Sequence, residues 1–196
     1  MITLKRHLTA WAYQNAWANY RLLAACQRLT QEEFVAPRTG FFPSIKATLN
    51  HIVTVDWLYA DAMERALDGR EPNPDPGSLF DPAEPFDEVI DLEDEQREAD
   101  GRFIAICRRL TDAQLEMPVA ILRKAGRVEE PMHRLLAHVF EHQIHHRGQA
   151  HAMLSGTSVA PPQLDEFFCA NEAGVRAADL AELGFTEADI WGTAPG

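Results

Sequence analysis

Four long stretches of this chain repeat their apolar residues at intervals of three and four, and proline or glycine stands between one stretch and the next. That period is helical: it gathers side chains onto one face, which another element must cover. From about Thr3 to Leu29 the stripe is Leu8, Ala12, Asn15, Asn19, Leu22, Cys26 and Leu29. From Ser44, a suitable N-cap, to about Leu67 it is Thr48, His51, Val55, Leu58 and Ala62. A third helix runs from Asp87 to Leu110 with Val89, Leu92, Gln96, Ala99, Phe103, Ile106 and Leu110 inward, and a fourth from Pro131, in its first turn, to a stop at Gly156. The expected fold class is all-α, a four-helix bundle over residues 1–156. Residues 157–196 form a C-terminal extension, whose Phe167, Phe168, Phe185 and Trp191 predict packing on the bundle or on a partner chain, with a flexible end past Thr193.

The links carry their own signals. Thr30 and Glu33 form a capping box that opens a short helix. Val119–Leu122 and Arg127-Val128 flank Lys124-Ala-Gly126 and predict a small β-hairpin ahead of the last bundle helix. The connection of roughly twenty residues around Pro72-Asn-Pro74-Asp-Pro76-Gly77 leaves more than one bundle topology open. Asn15 and Asn19 interrupt the first stripe, either because they lie at its edge or because an amide points toward the histidine-rich face of the fourth helix. Asp87, Glu88, Asp91, Glu93, Asp94 and Glu95 read as a solvated face near a helix N-terminus, where the macrodipole favours negative charge.

The fourth helix carries Leu136-Ala-His138-Val-Phe-Glu-His142-Gln-Ile-His145-His146-Arg147-Gly-Gln149, which holds four of the chain's eight histidines. At about 100° per residue, Leu135, His138, His142, His145, His146 and Gln149 share a stripe, while His133 and His151 point away. His142 and His146 are spaced i, i+4, which brings two imidazoles close enough to share a divalent ion. A His-rich face is also compatible with a solvated or hydrogen-bonded patch, and a single inward histidine such as His51 is commonly satisfied by a carbonyl. Burying several charged imidazoles together is costly, however, and a metal keeps them neutral. Two histidines on one helix and His51 on a facing one supply the three-ligand set of an open metal site.

Around that set, His138 and His145 are candidates for orienting the ligands or carrying protons. Arg147 is a candidate for meeting an anionic substrate group or for an ion pair with the acidic third helix. Glu141 lies about 100° round the helix from His142 and is a poor general base. A di-iron carboxylate site needs Glu-x-x-His pairs on two helices, and only Glu141-x-x-x-His145 is present.

A formal charge of −12 argues against nucleic acid and against anionic membrane surfaces as partners. Cys26, Cys107 and Cys169 are widely separated, an odd number with no CxxC, and fit a reducing compartment. The N-terminal residues Met1-Ile-Thr-Leu-Lys-Arg lack a signal-peptide pattern, so a cytoplasmic location is expected.

Three stretches resemble one family: Ala16-Trp17-Ala-Asn19-Tyr-Arg-Leu-Leu23, Ser44-Ile-Lys-Ala-Thr-Leu-Asn50-His51 and His138-Val-Phe-Glu-His142-Gln-Ile-His145-His146-Arg147-Gly148-Gln149. They look like the DinB-like (DinB/YfiT) proteins, four-helix-bundle metalloproteins related to bacillithiol transferase and mycothiol-dependent maleylpyruvate isomerase. The likeness covers about residues 1–155. It implies that His51, His142 and His146 hold one divalent metal, commonly zinc or nickel, with water completing the shell. It also implies a small-molecule substrate and a low-molecular-weight thiol, hence a thiol-dependent S-transferase ahead of a hydrolase. The alternative is a non-catalytic metal-binding or scaffold homodimer. The two differ at the fourth coordination position, which is open in an enzyme and closed, by His138 or His145, in a structural site.

Overall fold

The first three helices of the computed structural model, which describes residues 3–192, begin where a hydroxyl accepts an otherwise free amide. Thr3 caps α1 (Leu4–Cys26) by accepting from the Arg6 N–H, and the capping box of Thr30 and Glu33 opens α2 (Gln31–Val35). Ser44 caps α3 (Ile45–Leu67) by accepting from the Ala47 N–H at 3.0 Å. The third bundle helix, α4 (Val89–Arg109), starts two residues later than the periodicity predicts. Strands β1 (Pro118–Arg123) and β2 (Gly126–Pro131) pair antiparallel as the predicted hairpin. Pro131 ends β2 and caps α5 (Met132–Leu154) from outside, so it is not in the first helical turn. The extension contributes α6 (Ala173–Leu183), closed by Gly184 in the left-handed conformation at φ +71°, and α7 (Glu187–Trp191). The end expected to be flexible past Thr193, and Met1 and Ile2, lie outside the described residues.

Side-chain contacts settle the topology that the long link left open. Tyr13 meets Arg108 while Gln27 meets Glu93, so α1 and α4 run antiparallel. Lys46 meets Asp87 and Glu64 meets Arg102, so α3 and α4 run parallel. His51 and Tyr59 reach His146 and His138 respectively, making α3 and α5 antiparallel. A parallel successor forces the chain to return the full length of α3, roughly 34 Å at 1.5 Å per residue. That return is the task of the proline-rich link.

The apolar core is divided in two. One cluster includes Tyr13, Trp17, Phe103, Leu136 and Phe140; the other includes Leu22, Phe34, Ile45, Ile52, Leu92 and Leu154. Buried polar side chains from all four bundle helices join in one network, and those of α4 and α5 fall between the two clusters in sequence. Asn15 and Asn19, one turn apart on α1, each donate from Nδ2 to Asp100, at 2.8 Å and 3.0 Å, and accept at Oδ1 from Arg147, at 2.7 Å and 2.8 Å. Gln96 donates to Asp56 Oδ2 at 2.8 Å, and Gln143 donates to the same oxygen. The asparagines therefore are not at the edge of their stripe, nor do they serve the histidines: both are buried as amide bridges between a guanidinium and a carboxylate.

Arg147 is likewise relocated by the structure. It is 3% exposed, and its guanidinium reaches the acidic third helix only through the asparagines. From α5 it faces inward at this level, where the two asparagines hold its Nη1. Glu93, read as part of a solvated face, is also buried and pairs with Arg97 one turn on.

The segment after Gly156 lies along α1. Phe167 is fully buried with its ring 5.5 Å from that of Trp17, whose Nε1–H donates to Asp179 at 2.9 Å. Ile190 is buried in the same cluster, and Arg6 Nε donates to the Trp191 carbonyl at 2.9 Å. Among the described residues, no helix is long and apolar enough to cross a membrane.

Candidate metal centre

His51 comes from the second turn of α3, and His142 and His146 come from successive turns of α5, which faces it. Their ring nitrogens lie within 4.8 Å of one another, and His51 Nε2 is 3.1 Å from His142 Nε2. Two nitrogens bound tetrahedrally to zinc at about 2.0–2.1 Å sit roughly 3.3 Å apart, close to the spacing of the His51–His142 pair. The rings of His51 and His146 are 4.7 Å apart between centroids, and those of His142 and His146 are 4.5 Å apart.

Neighbouring groups select the tautomer of one ligand. His146 Nδ1–H donates to Gln149 Oε1 at 2.9 Å, which leaves Nε2 with its lone pair for the cluster. Gln149 in turn donates from its amide to His145 Nε2 at 3.0 Å. His145 thus fixes Gln149, which fixes His146. It is exposed, since at about 100° per residue it turns away from its neighbour His146, which is buried and faces the cluster. His138 is also exposed; its ring is 5.3 Å from Tyr59 and 6.3 Å from His142. Neither His138 nor His145 belongs to the nitrogen cluster. His133 and His151 each donate to a main-chain carbonyl, of Leu115 and Pro162.

One wall of the site was not foreseen. Phe42, in the loop before α3, lies with its ring 4.4 Å from that of His51 and 5.5 Å from that of His146. Phe41 beside it is 77% exposed and stands 6.1 Å from His146. The sequence placed these rings in a proline- and glycine-marked loop, with no periodicity to aim them.

The histidines sit in an environment that disfavours charge. Desolvation, reinforced by the neighbouring imidazole of His146, lowers the pKa of His51 to about 4. Desolvation first, then the surrounding histidines, lowers His142 to about 3, and desolvation also lowers His146. Neutral imidazoles with lone pairs directed inward are the form that binds a metal. His142 Nδ1 is buried without a hydrogen-bond partner among the described residues, so the ring is oriented by packing and by Nε2 alone.

These shifts predict a pH response of the metal-free protein. The unfolded chain takes up protons near the ordinary histidine pKa of about 6.5, whereas the folded state resists until about pH 4 or below, so stability falls as pH drops through that window. Both rings are only half-buried, and solvent screening reduces the effect to about 1–3 kcal/mol. Denaturant titrations at pH 7 and pH 4.5 should show a larger loss in wild type than in the double variant His51→Ala/His142→Ala. Equal losses in the two proteins would remove the histidines as its source.

Compared with known families, the chain is matched by the model described as the DinB family over residues 4–178, which takes in all four bundle helices and the three histidines. No curated protein matches it.

Proposed function

This chain belongs to the DinB family, and we propose that it is a metal-dependent enzyme that activates a thiol or water at His51, His142 and His146. The observation that carries this reading is the convergence of three histidine nitrogens, with no fourth His, Cys, Asp or Glu in the group among the described residues. Three neutral imidazoles leave the full charge of a divalent ion uncompensated, and such an ion supplies Lewis acidity that turns a thiol or water into a nucleophile near neutral pH. Nitrogen donors suit zinc and nickel, the two ions we assign to the site.

The chain's own residues divide the remaining work. Gln149 and His145 hold His146 in the binding tautomer. Phe42 covers one side and excludes solvent from His51 and His146. His138 is exposed beside His142 and takes or returns a proton at the substrate. Thiol-dependent S-transfer is favoured over hydrolysis, with a low-molecular-weight thiol and a small electrophile as the reactants.

The test is the fourth position. Cobalt(II) in place of the native ion gives a visible spectrum that responds to its ligands, and 2-mercaptoethanol is the probe. One thiol per cobalt, seen as a new sulfur-to-cobalt charge-transfer band, is the expected outcome. A spectrum that ignores the thiol means that the coordination shell is closed, and favours the non-catalytic metal-binding or scaffold homodimer.

A further inference from the structure

Between the β-hairpin, α3 and α5 lies a cleft of about 280 Å³, just below the usual range for small-molecule sites, roughly 300–1,000 Å³. Its floor is apolar, from Val119, Ile121 and Leu135, and its polar groups are Tyr59, Arg123, His138 and the mutually paired Glu130 and Arg134. His138 belongs to the cleft and also stands beside His142, so the cleft opens next to the histidine cluster.

Arg123 is the distinctive group. Its guanidinium lies 5.9 Å from the Tyr59 ring centroid and donates to the Tyr59 hydroxyl at 3.2 Å. Among the described residues, no carboxylate comes within ion-pair distance of it. The other arginines nearby are compensated: Arg134 by Glu130 at 3.2 Å, and Arg127 by Glu129 at 2.7 Å. In a chain with a net charge of −12, a positioned guanidinium without a counter-ion is set apart from its neighbours. Contact with Tyr59 holds it in place while leaving donors of its fork for a planar oxyanion.

We propose that this cleft is the carboxylate-binding half of the substrate site, in which Arg123 anchors the carboxylate of a small substrate or thiol whose reactive end lies at His51, His142 and His146. The apolar floor covers the carbon chain between the two ends, and His138 stands at their junction. The proposal rests on the reading of the histidines as a metal centre.

The experiment uses the cobalt-loaded protein and two series of probes, ω-mercaptocarboxylates of increasing chain length and ω-mercaptoalcohols of the same lengths, with binding read from the charge-transfer band. At the chain length that spans the site, the acid should bind about tenfold more tightly than the alcohol, the ordinary gain from a charge-assisted hydrogen bond. Arg123→Ala should abolish that preference without changing alcohol binding, and Arg123→Lys should keep part of it. Arg123 is exposed, so both variants retain the fold. Equal binding of acids and alcohols at every length, or an acid preference that survives in Arg123→Ala, overturns the proposal. If neither series produces a band, the metal reading has failed instead. The cleft is then judged alone by titrating hexanoate into the metal-free protein and following the Arg123 side-chain N–H by NMR. Saturable movement supports the anchor, and none overturns it.

Discussion

Protein purified without an affinity tag is expected to carry about one transition-metal ion per chain, and alanine at either His51 or His142 is expected to remove it. The two residues come from helices that are far apart in sequence and contribute nitrogens 3.1 Å apart, so each variant deprives the same ion of a ligand. Groups that only orient a ligand are worth about 10- to 100-fold in affinity, so a ligand itself should be worth more than a hundredfold. Gln149→Ala supplies the graded comparison, because it frees His146 Nδ1 but leaves all three ligands, and its loss should stay near tenfold. Elemental analysis of the four proteins after dialysis measures this. An ion retained at full occupancy in His51→Ala would mean that α3 and α5 do not share a site.

Removing Arg147 should have the largest effect on stability. It is 3% exposed, and burial lowers its pKa to about 10 while Asp100 and Asp56 oppose that shift. Burial also raises Asp100 to about 7, against donors from Asn19, Gln96 and Asn15, and raises Asp56 well above the usual carboxylate range. Of the two buried carboxylates, Asp100, with three amide donors, is the one whose charged form the network favours more. Arg147→Ala leaves it buried without its compensating charge, a change that typically costs about 3–5 kcal/mol, a large part of a domain's stability of about 5–15 kcal/mol.

The sign of the pH dependence follows from the acid. Loss of Arg147 pushes the folded-state pKa of Asp100 higher still, so the folded variant prefers the protonated acid and its deficit widens as pH rises toward 8. At pH 5 the carboxyl is neutral and the deficit is smallest. Chemical denaturation at the two pH values measures both, and combining Arg147→Met with Asp100→Asn should recover part of the loss. A cost below about 1 kcal/mol, or one independent of pH, would show that the amide bridges do not depend on the guanidinium.

The bundle was legible because its cause is local: each stripe is a property of one helix, and caps such as Ser44 and Thr30 act within one turn. The candidate site was legible for the same reason, since an i, i+4 pair meets on any helix and His51 lies on the stripe that must face inward. The places where the reading changed are those where a polar residue shares an inward stripe. Asn15, Asn19 and Arg147 could be assigned to solvent, substrate or core only when the opposing helix was known, because a buried polar group is explained by its partner. His145 is turned away from the cluster because adjacent residues on a helix diverge by about 100°, and His146 is the one of that pair that faces it.

What the sequence determined by itself is therefore the set of helices, their caps, the hairpin and the three histidines that converge. Each depends on spacings of a few residues and on chemistry that any helix expresses. Only the tertiary structure decided that α3 and α4 run parallel, that two asparagines bridge Asp100 to Arg147, that Phe42 covers the histidines, and that Arg123 reaches the Tyr59 hydroxyl. Those features depend on residues tens of positions apart being brought within hydrogen-bond or van der Waals reach. No local period encodes that, because it arises from how the helices share one core.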